Sequence, residues 1–78
     1  MMNVKVLGGG CSKCETLLAN TKEAVANVGV EAEVEYITDF AVIANYGIMS
    51  TPALIIDEKI VSMGKVLKSS EIEKFLQK

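Results

Sequence analysis

Three consecutive glycines, Gly8-Gly9-Gly10, separate two segments of different hydrophobic period. Before them, Met2 to Leu7 alternates weakly and is rich in Val and Leu, the pattern of a strand. After them, from Ser12 to about Val28, apolar or small residues recur at Cys14, Leu17, Leu18, Ala24, Val25 and Val28. That spacing makes one face of an amphipathic helix. Gly29 follows as the expected C-terminal cap. A strand that turns through glycine directly into a helix is the first half of a strand-helix-strand unit, and the rest of the chain must close it.

The closing strand is legible in Glu31 to Ile37, which alternates Glu with apolar residues and ends on Tyr36-Ile37, a strand with one wet face. Thr38 or Asp39 can cap a short helix running through Asn45, with Gly47 ending it. Ser50-Thr51-Pro52 is a break. Ala53 to Ile56 reads as a buried strand, Asp57-Glu58-Lys59 as a tight turn, and Ile60 to Met63 as its hairpin partner. Gly64 to Lys68 is a loop. Ser69 or Ser70 then caps a last helix with Ile72, Phe75 and Leu76 expected to face inward. The order is β-α-β-α-β-β-α. Strands joined through a helix favour a parallel pair, and the last two are antiparallel. The expected fold is α/β: one domain, residues 1–78, with a four-stranded mixed sheet flanked by three helices.

Composition narrows the function. At 78 residues the chain is one domain, and with 50% hydrophobic and 23% charged residues it is too apolar to be disordered. It has no His, Trp or Arg. Without His there is no Ser-His or Cys-His nucleophile pair and no His-containing zinc site. A net charge of −2 with every cation a Lys is no nucleic-acid footprint. No apolar run approaches the roughly 18 residues of a membrane span. The N-terminal stretch is too short and too interrupted for a signal peptide, and too short an apolar segment precedes Gly8-Gly9-Gly10-Cys11 for a lipoprotein site. The expected location is the cytoplasm, where disulfides are usually transient and catalytic.

Cys11-Ser12-Lys13-Cys14 stands where the first strand meets the first helix. In a cytosolic strand-helix-strand setting, C-x-x-C is the pattern of a dithiol redox site. Unpaired N–H groups and the dipole at a helix start stabilise a thiolate, which makes the first cysteine a nucleophile near neutral pH. The second, about one turn on, can attack a mixed disulfide on the first and release the product. Lys13 adds a nearby positive charge or simply points into water. A structural zinc site needs four ligands as a rule, and two cysteines without His do not supply them. A soft-metal site for Cu(I) through the two thiolates remains open.

Other positions have a plainer reading. Pro52 leads into the buried strand, and by residue-level preference it is an ordinary trans proline at a strand entrance. Met49 can rim the site or simply pack. Tyr46, at a helix end, reads as a half-buried core residue. Glu31, Glu33 and Glu35 read as the solvated face of an edge strand. Lys65 and Lys68 need no role beyond solvation.

Cys11-Ser12-Lys13-Cys14, the stretch Tyr46-Gly47-Ile48-Met49-Ser50-Thr51-Pro52-Ala53-Leu54, Gly64 and the closing helix together resemble the thioredoxin superfamily over essentially the whole chain. The small size and the glycines before Cys11 are most similar to its short glutaredoxin-like members. The resemblance implies a thioredoxin-like fold, with Cys11 as nucleophile and Cys14 as resolving cysteine. It implies that Pro52 is cis beside Cys11, that Thr51 offers backbone hydrogen bonds to an extended substrate, and that Gly64 lets that substrate pass close. Three departures stand out. Ser12-Lys13 replaces Gly-Pro, no Trp precedes Cys11, and Lys5 is the only ionisable side chain in the first strand, where a buried carboxylate is usual. The expected activity is thiol–disulfide exchange, mainly as a protein disulfide reductase, with a redox-active Cys11–Cys14 disulfide and no bound cofactor or metal. Expected partners are disulfide-containing proteins and an upstream, thioredoxin-reductase-like electron donor, with no nucleic acid and no membrane, the chain being a monomer. The rivals are a copper-type soft-metal chaperone using the same cysteines and a glutathione-linked glutaredoxin.

Overall fold

The computed structural model describes residues 2–10 and 12–76. Its elements are β1 (Met2–Leu7), α1 (Ser12–Val28), β2 (Ala32–Ile37), α2 (Phe40–Asn45), β3 (Ala53–Ile56), β4 (Lys59–Met63) and α3 (Ser69–Leu76). The sheet runs β2-β1-β3-β4. β1 and β2 are parallel, as their connection through α1 requires, whereas β3 is antiparallel to β1 and β4 to β3.

The period-two alternation of β1 divides its side chains between two cores. Val4 and Val6 join Leu17, Ala24, Leu54, Ile56, Ile72 and Leu76 on the face covered by α1 and α3. Leu7 joins Ile43, Ala53 and Ile55 on the face covered by α2. β3 is buried along its whole length, consistent with its apolar run and its place inside the sheet. Asp57 and Glu58, with φ of 51° and 67°, make the β3–β4 turn in the left-handed conformation of two-residue hairpins, without glycine. The turn is tied back to β1: the Asp57 N–H donates to the Asn3 carbonyl at 2.7 Å, and the Asn3 N–H to the Asp57 carboxylate at 3.0 Å.

Helix details differ from the sequence-based expectation in three places. Phe75 does not face inward; it is 46% exposed, whereas Ile72 and Leu76 are buried. The i, i+4 pair points at α1, and Phe75 lies to the side, lining an open groove together with residues of β4. Neither Ser69 nor Ser70 caps α3. The Glu71 carboxylate instead accepts from the Lys68 N–H at 3.2 Å, the reciprocal half of a capping box. Thr21 belongs to the buried face of α1 despite its hydroxyl, which donates to the Leu17 carbonyl at 2.7 Å. Of the two candidates Thr38 and Asp39, Asp39 caps α2, accepting from the Ala41 N–H at 2.9 Å. Among the described residues, no helix is long and apolar enough to cross a membrane.

Candidate active site

β1, β3 and the start of α1 meet at one end of the sheet. Cys11, the expected nucleophile, lies outside the described residues, and so does any Cys11–Cys14 bond. Cys14 is on the first turn of α1 and fully buried. Its side chain fills space that a side chain at position 8 would need. A Cβ on Gly8 would come within 2.3 Å of Cys14 Sγ, 2.8 Å of Cys14 Cβ and 3.9 Å of Pro52 Cα. Gly8 itself is fixed by its N–H, which donates to the Ile37 carbonyl at 3.0 Å and extends the β1–β2 ladder. Cys14, Gly8 and Pro52 therefore converge on one point.

The Thr51–Pro52 peptide bond is cis, so the trans form favoured by residue-level preference is corrected. Pro52 is buried, and its carbonyl accepts from the Gly64 N–H at 2.8 Å. Gly64 has a φ of +70°, and a Cβ there would lie 3.1 Å from Ser50 Cβ. The proline loop and Gly64 are thus brought together, with Thr51 exposed beside them. Lys13 is exposed on the first turn of α1.

Two large apolar side chains stand proud of this end. Met49, 93% exposed, precedes Ser50-Thr51-Pro52. Phe40, 72% exposed, is the first residue of α2, and its ring tip lies 3.2 Å from where a Gly9 Cβ would be. The sequence left Met49 open between a rim and a packed residue, and its exposure argues against packing; Phe40 was not singled out, because its proximity to Gly9 depends on how α2 docks. An aromatic placed immediately after a helix cap, outside the apolar stripe of that helix, was the available signal.

Tyr46 does not reach the site. Its hydroxyl accepts from Lys5 Nζ at 2.6 Å, and Lys5 also pairs with Glu58 at 2.6 Å. Hydrogen bonds to Glu58 and Tyr46 hold the Lys5 ammonium above its ordinary range; the Lys5 hydrogen bond pulls the Glu58 carboxyl below its own. An ammonium locked in this way has no lone pair and cannot accept a proton. Lys5, with its side chain 16% exposed, therefore pins the start of the proline loop to β1 and to the hairpin turn. Glu31, Glu33 and Glu35 line edge strand β2 or its entry and are exposed, as are Lys65 and Lys68. Among the described residues, no group of three or more His, Cys, Asp or Glu is gathered where a metal ion could be held.

Residues 2–77 match the sequence profile of the thioredoxin domain. A thioredoxin of Methanothermobacter thermautotrophicus is 37% identical over 76 residues, spanning 97% of this chain and 99% of its own length. A thioredoxin of Methanocaldococcus jannaschii is 35% identical over 77 residues, spanning 99% of this chain and 88% of its own.

Proposed function

Because the chain belongs to the thioredoxin domain family, and at that level is a thiol–disulfide oxidoreductase, we propose that it is a protein disulfide reductase acting through Cys11 and Cys14. The observation that carries this reading is the convergence of Cys14 and Pro52 on Gly8 at the strand–helix junction that holds C-x-x-C. The Cys11 thiolate attacks one sulfur of a substrate disulfide, forming a mixed disulfide and expelling the other sulfur as a thiolate. Cys14 then attacks the Cys11 sulfur. The bond to substrate breaks, the Cys11–Cys14 bond forms, and the second substrate sulfur leaves with its electron pair. Two electrons have passed to substrate, and the protons lost by the two cysteines end on the substrate thiols through water, since Lys5 is no base.

The exposed Thr51 and the apolar rim of Phe40 and Met49 suit an extended polypeptide rather than a small polar molecule. The chain binds no cofactor in this reading. A thioredoxin-reductase-like donor returns the electrons, in the cytoplasm, to a monomer. A soft-metal carrier of strand-helix-strand-strand-helix-strand order would give the proline loop no purpose, and the order here differs.

The test is turnover of a small disulfide-bonded protein in the presence of a chemical reductant. Cys11→Ser should lower the rate to that of the reductant alone, and Cys14→Ser should accumulate a one-to-one mixed disulfide visible by mass. Retained turnover in Cys11→Ser would sink the mechanism. Tight one-to-one Cu(I) binding by a chain that reduces no disulfide would favour the metal carrier instead.

A further inference from the structure

We propose that Gly8 is a positioning residue for the resolving cysteine: its missing side chain is the seat in which Cys14 rests, and the depth of that seat sets where Cys14 Sγ stands for the second exchange. The proposal rests on the reductase reading above. Gly8 and Gly10 are glycines for different reasons. Gly10 has a φ of +83°, and among the described residues a Cβ there would meet nothing within 4 Å, so its backbone conformation is the requirement. Gly8 has no positive φ, so any residue could adopt its backbone, and space is the requirement. The occupant of that space is Cys14.

The conflict that a methyl group at position 8 would create cannot be relieved by rotating Cys14 about χ1. Sγ would move away, but Cys14 Cβ, fixed to the helix backbone, is also inside 3.0 Å. Either the first turn of α1 lifts from β1, or the end of β1 moves, and the Ile37 hydrogen bond to Gly8 opposes the second. Lifting the first turn carries Cys14 away from Pro52 and alters its approach to the Cys11 sulfur. Resolution needs that approach: Cys14 Sγ bonds to Cys11 Sγ as the Cys11–substrate bond breaks and the substrate thiolate leaves. Small displacements of reacting atoms carry large rate penalties.

The test uses the full chain carrying Gly8→Ala, with Ile72→Val as a variant that loosens the core elsewhere. Thiol release from a glutathione adduct of Cys11 reads the resolution step. Equilibration in glutathione buffers, followed by alkylation and mass, reads the dithiol–disulfide balance. Gly8→Ala should slow release at least tenfold, or shift the balance at least tenfold (about 30 mV), whereas Ile72→Val lowers Tm and moves neither. Wild-type values of both in Gly8→Ala would overturn the proposal. If Gly8→Ala does not fold, Gly8→Ala/Cys14→Gly transfers the displaced volume: regained cooperative unfolding supports the seat, and its absence overturns it. A wild-type chain that turns over no protein disulfide sinks the underlying reading and the role of Gly8 in exchange together, and the double variant then reports the contact alone.

Discussion

The two faces of the sheet are built differently. On one, the 17-residue α1 and the 8-residue α3 close over an apolar core drawn from β1, β3 and both helices. On the other, the 6-residue α2 covers a smaller cluster, and where its cover runs out the sheet carries the Lys5–Tyr46–Glu58 network in place of apolar packing. Cys14 belongs to the thick face; the proline loop hangs from the thin one. The candidate site lies at the end where the two meet. In the proposed reductase reading, the resolving cysteine is therefore mounted on the more heavily packed face and the proline loop on the lighter one.

If the faces differ in this way, truncations should separate them. Leu17→Ala on the thick face should cost about 2–5 kcal/mol, because a fully buried side chain of the 17-residue α1 leaves a cavity that the surrounding core fills only in part. Ile43→Ala on the thin face should cost about half as much, since a short surface helix can settle into the space. Denaturant unfolding of both variants measures the difference, and equal costs would break the distinction between the faces. Next in size is Asp39→Ala. Loss of the α2 cap should cost about 1 kcal/mol. Because α2 leads into the proline loop, KM for a protein disulfide should rise several-fold with kcat nearly unchanged. A lower Tm with an unaltered KM would show that the thin face does not position the loop.

The same contrast explains what was legible in the sequence. α1 and β3 could be read nearly to the residue, because long amphipathic or continuously apolar runs report their own burial. Asp39 was legible because capping is local. The thin face was harder to read. Lys5 interrupts an apolar strand, and its partners Tyr46 and Glu58 lie 41 and 53 positions away in the chain, so no local pattern announces the network. Phe75 misled for a related reason: period alone places it near the stripe, but the crossing of α3 over α1 decides which residue points in. Gly8 read as one of three turn glycines, and only packing distinguishes the one that makes room for Cys14 from the one that turns the chain.

The smallest expected effect concerns the network that replaces packing on the thin face. The Glu58 carboxyl is held low by Lys5, so its contribution to stability is present above the ordinary carboxylate range and is lost as pH falls through its depressed folded value. The Lys5 ammonium is held high, so its contribution is present below the ordinary lysine range and is lost only in strongly alkaline solution, as pH rises through its raised folded value. Acid is therefore where the network shows itself. Wild type should lose stability relative to Lys5→Met as pH falls from about 5 toward 2. The change should be small, because Glu58 is 59% exposed and solvent screens the pair, and added salt should shrink it further. Urea midpoints for both chains across that range provide the measurement. Parallel profiles would mean that the ion pair contributes nothing pH-dependent and that Lys5 serves the thin face through its aliphatic stem alone.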